Sequence, residues 1–327
     1  MIKFFKKETV FCIATLLAIV SCFFAVPSIS YIDWKTLGIL LIMMVVVQFL
    51  KAMGIFDLLV SKLLLHVKNI RQLYFILVFS CFFFSMIITN DISLLTFVPF
   101  AIGALRKIKR EDLLIPIISL QAIAANLGCM LQPFGAPHNI YAFSVSGLSF
   151  LEFVHLLFPY WLLSFVILFV IGFFFSSSSI PSVGAAVEVD RRDVLGKTFR
   201  GVDYFLLLTF ISFFVLIGNL QAMPAISGFF ERIISGREIL CGILASQIIS
   251  NVPAAMMITG FSDNYCDIIL GVNIGGLGTL IASMANLIAY KIYAHEFNDT
   301  KGKLLLVFTV FNIGFLLTLL LLHLIIG

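Results

Sequence analysis

NLGCMLQPFGAPHNIYAF (residues 126–143) and NIGGLGTLIASMANLIAY (residues 273–290) follow one pattern. Each begins Asn, Leu or Ile, Gly, and reaches a second Asn after the same interval, which then opens Ile or Leu, any residue, Ala, aromatic. The first copy lies in an uncharged stretch from Leu113 to Leu151, with His138 counted neutral. Pro133, Gly135 and Pro137 break a helix there and free backbone carbonyls and amides. Upstream, IITN (87–90) is echoed by IISN (248–251), with 36 residues from Asn90 to Asn126 and 22 from Asn251 to Asn273. Four features in one order define an internal duplication whose copies differ in length.

The surroundings of the copies are too apolar for a soluble globule. Hydrophobic residues make up 61% of the chain and charged ones 12%, against about half and a quarter in soluble domains. Mean hydropathy is +1.13. Several uncharged runs reach the roughly 20 residues that cross a bilayer core of ~30 Å, and the chain has room for about seven crossings and two partial insertions. The expected location is a cell membrane, crossed many times. The net charge of +4 sits in short loops between apolar runs, as an orientation signal and not a nucleic-acid patch. Cys12, Cys22, Cys81, Cys129, Cys241 and Cys266 form no C-x-x-C pair and read as packing thiols, so no metal centre or cofactor is expected.

Lys3, Lys6 and Lys7 precede an uncharged run from Thr9 to Ile32 that is too long for a signal peptide. Residues 1–33 therefore read as a first transmembrane helix with a cytoplasmic N-terminus. After a second helix, DLLVSKLLLHVKNIR (57–71) reads as an amphipathic helix on the cytoplasmic interface. The run Leu73–Leu105, whose only formal charge is Asp91, is ~50 Å of helix, longer than one crossing. Lys68 and Arg71 before it and Arg106 to Arg110 after it place both ends on the cytoplasmic side. The economical reading is a re-entrant hairpin over 72–105 with Thr89, Asn90 and Asp91 at its tip. Two complete helices joined by an external polar turn are the alternative.

A hairpin over 237–262 follows in the second copy, flanked by Glu231, Arg232, Arg237, Glu238, Asp263 and Asp267, and is expected to enter from outside. Residues 34–175 then form a first repeat with a broken helix at 112–147. Residues 176–201, with Arg191, Arg192, Lys197 and Arg200, form a cytoplasmic linker, and 202–327 form a second repeat with a broken helix at 265–291. The fold class is an all-α polytopic membrane protein, an inverted-topology repeat with two re-entrant hairpins and two discontinuous helices. In such plans substrate and ion sites lie near the midplane at the broken helices.

TNDISLLTFVPF, ANLGCMLQPFGAPHN and SNVPAA with GVNIGGLGTLIAS resemble the ion transporter superfamily. Its branches include arsenite pump membrane proteins, citrate transporter-like permeases and divalent anion/sodium symporters. The resemblance implies a scaffold and a mobile transport region that moves as an elevator, with hairpin tips and unwound segments forming one site. The dicarboxylate branch commonly reads Ser-Asn-Thr at both tips; Thr89-Asn90-Asp91 and Ser250-Asn251-Val252-Pro253 depart from that, as do Ala136 and His138 from the Asn and Gln often found there. This leans toward the arsenite-pump and citrate-like branches.

The candidate site therefore comprises Thr89, Asn90, Asp91, Asn126, Gly128, Gly135, Pro137, His138, Asn139, Ser250, Asn251, Pro253, Asn273, Gly275, Thr279 and Asn286. Asn90 and Asn251 offer a carboxamide acceptor to a cation and a donor to an anion, or cap their helices. Na⁺ has candidate ligands in Asn90, Asp91 and Asn251. Asp91 binds Na⁺, carries a proton or caps the returning limb. Gly128, Gly135, Gly275, Gly276 and Gly278 let backbone approach a ligand or a neighbouring helix. His138 meets an anion or is structural. Lys51, Lys291 and His295 are expected to snorkel to headgroups.

The expected function is secondary active transport of a small anion or oxyanion, carboxylate or arsenite-like, coupled to Na⁺ or H⁺. The alternatives are a Na⁺/H⁺ antiporter and, from another class, a channel-like or receptor protein. Neither G-x-S-x-G nor H-E-x-x-H occurs, so no enzyme is expected. The expected partners are the bilayer and a small anionic substrate, with a homodimer as one admissible assembly.

Overall fold

A computed structural model describes residues 9–181 and 192–326. Lys3, Lys6, Lys7, Arg191 and the middle of the proposed linker lie outside the described residues. Among the described residues all regular structure is helical, and the chain is an all-α polytopic membrane protein. Six helical stretches among the described residues are long and apolar enough to cross a membrane. Helix α1, Thr9–Ser21, is a shorter apolar helix.

Two sets of elements follow in the same order. Helix α2 (Trp34–Ala52) starts at Asp33, whose carboxylate accepts from the Thr36 amide at 3.0 Å. The short α3 (Ile55–Leu65) follows it. Then come the hairpin limbs α4 (Ile70–Ile88) and α5 (Asn90–Lys107), the broken helix α6 (Leu114–Cys129) and α7 (Pro137–Ser146), and α8 (Phe150–Gly172). A connecting helix α9 covers Val194–Gly201. Helix α10 (Tyr204–Gln221) starts at Asp203, which accepts from the Leu206 amide at 2.9 Å. The short α11 (Pro224–Ile234), limbs α12 (Glu238–Ile249) and α13 (Asn251–Thr259), halves α14 (Tyr265–Gly275) and α15 (Met284–Glu296), and α16 (Lys301–Ile326) complete the order.

The hairpins turn in the same way. Thr89 has φ 70°, ψ 152° and Ser250 φ 74°, ψ 155°. Non-glycine residues occupy this region only where surrounding bonds over-determine it, at a cost of about 1–3 kcal/mol. Those bonds are present: the Asn90 amide donates to the Gly135 carbonyl at 3.2 Å and the Asn251 amide to the Ala282 carbonyl at 3.0 Å. Each tip is thus fastened to the break of a neighbouring helix.

Two apolar clusters hold the chain. In the first, α4, α5 and α6 pack with α8, α15 and α16. Phe75, Phe79, Phe82 and Phe83 of α4 meet Trp161, Phe165, Phe169 and Phe173 of α8. Gly172 admits this approach, because a Cβ there would lie 2.5 Å from the Phe75 ring. The second cluster joins α1, α2 and α10 to α7, α13 and α14. Within it Thr36 Oγ1 pairs with Ser144 Oγ at 2.6 Å, linking α2 to α7. Tyr141 of α7 pairs its hydroxyl with Thr259 Oγ1 of α13 at 2.8 Å and sets its ring against Phe210 and Phe214 of α10.

Candidate functional site

The polar residues of the two copies meet in one buried centre. Asn90 Nδ2 donates to Asn126 Oδ1 at 3.0 Å, and Asn126 Nδ2 donates to Asn286 Oδ1 at 2.7 Å. On the other side Asn273 Nδ2 donates to Asn139 Oδ1 at 2.7 Å. The cross-links are reciprocal: the last turn of α6 is tied to the first turn of α15, and the last turn of α14 to the first turn of α7. Each receiving Asn then staples its own break. Asn286 Nδ2 reaches the Gly276 and Thr279 carbonyls at 3.0 and 3.2 Å, and Asn139 Nδ2 the Cys129 and Gln132 carbonyls at 3.4 and 3.5 Å.

A third donor completes each junction from a different register. Ser283 Oγ donates to Asn126 Oδ1 at 2.9 Å, whereas Asn273 Oδ1 faces His138 Nε2 at 3.3 Å. Since Asn273 Nδ2 already donates to Asn139 and to the Ile269 carbonyl at 2.8 Å, its oxygen accepts and His138 carries its proton on Nε2. Asn90, Asn126, Asn139, Asn251, Asn273, Asn286, His138 and Ser283 are all buried.

Helix ends of both signs share this centre. The N-termini of α5, α7, α13 and α15 carry partial positive charge, and the C-termini of α4, α6, α12 and α14 carry partial negative charge. Segments 113–151, 239–262 and 268–290 contain no Lys, Arg, Asp or Glu, so Asp91 is the one formal charge at the tips. Its amide donates to Asn90 Oδ1 at 3.0 Å, and its Oδ1 is buried without a partner among the described residues. The equivalent position of the second hairpin is Val252, buried in the apolar cluster around α10. An unpaired carboxylate oxygen at a tip can take a cation or a proton, and the helix N-termini can hold an anion.

The citrate transporter family profile matches residues 5–264. The chain belongs to the citrate transporter family. Among curated proteins, this family member is 30% identical to the uncharacterized transporter MJ0456 of Methanocaldococcus jannaschii, covering 88% of each chain. It is 28% identical to the inner membrane protein YbiR of Escherichia coli K12, covering 80% of each. The chain is thus a multi-pass membrane transport protein.

In this transporter the glycines divide by neighbour. A Cβ on Gly128 would lie 1.9 Å from the Phe82 carbonyl and 2.6 Å from Ser85 Oγ; on Gly275 it would lie 2.7 Å from Ser246 Oγ. Both glycines admit the first limb of the adjacent hairpin. At Gly135 a Cβ would meet the Cys129 carbonyl at 2.4 Å, across the break itself, and at Gly276 it would meet Asn251 Nδ2 at 3.2 Å. Pro137 and Pro253 sit in the first turns of α7 and α13, where a missing N–H is tolerated. Thr279 is exposed, and its amide donates to Gln247 Oε1 at 2.9 Å.

Sequence reasoning missed Gln247, whose Nε2 bridges the Gly275 and Leu277 carbonyls at 2.9 Å each, and Gln121, whose Nε2 reaches the Leu77 and Phe97 carbonyls of α4 and α5 at 3.2 Å. It also missed Ser283. A glutamine within an uncharged apolar run was the available signal for the first two. For Ser283 the signal was its position opposite Ala136 in the aligned copies.

Proposed function

We propose that the chain is a secondary active transporter of a small anion, a citrate-like carboxylate or an oxyanion, coupled to Na⁺ or H⁺ by elevator-type alternating access. The observation that carries this is the buried centre where four helix N-termini and four C-termini surround two asparagine clusters, Asn90–Asn126–Asn286 and Asn139–Asn273, beside a single carboxylate. N-termini stabilise an anion without a fixed cation, and C-terminal carbonyls with Asp91 and the Asn90 and Asn251 amides suit a coupling cation. Thr89 and Ser250 set the tips; the backbone around Gly135, Pro137, Gly275 and Thr279 lines the breaks.

The hairpins enter from opposite faces, with the first from the cytoplasm and the N-terminus cytoplasmic, in the cell membrane. The packing of α7 and α13 against α2 and α10 supports a mobile centre. Their counterparts α15 and α5 pack on each other and make no comparable contact with α10 or α2 among the described residues. Copies that are equal inside and unequal outside are what one of two alternating states requires.

The test is uptake of labelled citrate by proteoliposomes under imposed Na⁺ and H⁺ gradients. Saturable uptake that collapses with one gradient supports the proposal. Cation-driven proton flux independent of any carboxylate or oxyanion would make the antiporter the better reading, and flux indifferent to gradients a channel.

A further inference from the structure

The tip asparagines are engaged differently in the two copies. At the first tip Asn90 Nδ2 donates to Asn126 Oδ1, and Asn90 Oδ1 accepts from the Asp91 amide at 3.0 Å. At the second tip the acceptor that corresponds to Asn126 Oδ1 is Asn273 Oδ1, and His138 Nε2 faces it instead of Asn251. Asn251 Oδ1 accepts from Ser250 Oγ at 3.4 Å. Asn251 Nδ2 is left without a partner among the described residues, although Asn251 is only 3% exposed, and this nitrogen keeps open surface. The Val252 amide, which matches that of Asp91, also has no partner among them. We propose that the anionic group of the substrate binds at the second tip alone, on Asn251 Nδ2 and the Val252 amide, while the first tip is closed to anions and kept for the coupling cation.

Space and charge favour the same division. In the aligned copies Gly276 stands where the first copy has Cys129. A Cβ on Gly276 would find Asn251 Nδ2 nearest, at 3.2 Å, and next two carbonyls of its own helix, so the missing side chain leaves room beside the unpaired donor. Cys129 fills the matching position with a thiol that donates to the Asn126 carbonyl at 3.1 Å. Asn251 and Val252 open α13, whose first turn carries partial positive charge and no acidic side chain. A carboxylate or oxyanion brings two oxygens to these two donors. Ile92 of the first tip also has an amide without a partner among the described residues, but the neighbouring Asp91 carboxylate repels an anion and attracts a cation.

The division rests on the proposed transport activity and narrows it, giving Asn251 to the anion and Asp91 to the cation. It is read by binding, as thermal stabilisation of the full-length protein in detergent by citrate and by inorganic phosphate at saturating Na⁺ and fixed pH. Gly276→Cys copies the first tip at a backbone position, φ −64°, open to any residue, and is expected to raise the anion concentration for half-stabilisation about tenfold. Asn251→Asp, equal in shape but without the donor, is expected to raise it at least tenfold. With the anion saturating, Gly276→Cys is expected to leave the Na⁺ and pH dependence of stabilisation unchanged, and Asp91→Asn to alter that dependence while the anion still binds. Wild-type anion affinity in both Gly276→Cys and Asn251→Asp, or an equal loss in Asp91→Asn, would overturn the division and leave the transport reading standing. A wild type that neither anion stabilises would overturn the transport reading and the division with it.

Discussion

The two halves of the amide centre are near copies in their bonds and unlike in their surroundings. Asn126 to Asn286 repeats as Asn273 to Asn139, and the tip bond from Asn90 to Gly135 repeats as Asn251 to Ala282. Yet the first tip carries Asp91 where the second has Val252, and among the described residues the second hairpin packs on α10 and α7 on α2 without a comparable contact from their counterparts. The difference teaches a division of labour. Duplicated amides build the frame, and Asp91 and the contacts with α2 and α10 are where the copies differ.

The frame is the place to break this comparison hardest. Asn126→Ala removes the partner of Asn90, Asn286 and Ser283 together, and each stranded buried group costs about 1–3 kcal/mol. Uptake is expected to fall roughly a hundredfold or more, with Asn273→Ala close behind. Asn90→Ala and Asn251→Ala, which leave the cross-links in place, are expected to lower uptake by roughly tenfold or more while inserted yield stays near normal. Normal transport by both tip variants would make the tips helix caps and nothing else.

Asp91 sharpens the comparison, because it has no counterpart. Asp91→Asn keeps shape and capping ability while removing the charge. Substrate binding is expected to persist as gradient-driven accumulation fails, measured in parallel on one preparation. Intact accumulation would reduce Asp91 to a cap of α5.

The smallest effects belong to the third donors. Ser283→Ala takes one hydrogen bond from an Asn126 oxygen that keeps Asn90, a loss of about 1 kcal/mol, whereas His138→Ala strands the buried Asn273 oxygen and costs about 1–3 kcal/mol. Uptake is expected to drop a fewfold in Ser283→Ala and roughly tenfold in His138→Ala. A loss in His138→Ala that His138→Gln, which keeps a side-chain donor, does not restore would mean that the imidazole meets the substrate itself.

Much of this was legible in the sequence, because Asn, Gly and Pro stand out against hydrocarbon. A polar residue at membrane depth must be satisfied within the protein, so Asn90, Asn126, Asn251 and Asn273 announced a shared centre before any partner was known. Over these stretches the structure has helix pairs at 70–88 and 90–107 and at 238–249 and 251–259, and non-helical segments at 130–136 and 276–283. Pairings were not legible. That Asn126 bonds Asn286 and not its own copy's Asn139 depends on how the two halves dock, which no local pattern encodes. The roles of Ser283 and His138 were hidden for a related reason: they supply equivalent bonds from unequal register, so aligning the copies conceals them.

Opposite insertion of the copies is the central claim, and labelling tests it most directly. On a background lacking the six native cysteines, Lys68→Cys and Glu111→Cys flank the first hairpin and Ser235→Cys and Asp263→Cys the second, all at exposed positions. A membrane-impermeant maleimide applied to intact cells is expected to label the second pair and to reach the first only after the membrane is opened. Labelling of both pairs from the same side, or of the two members of one pair from opposite sides, would contradict the inverted arrangement.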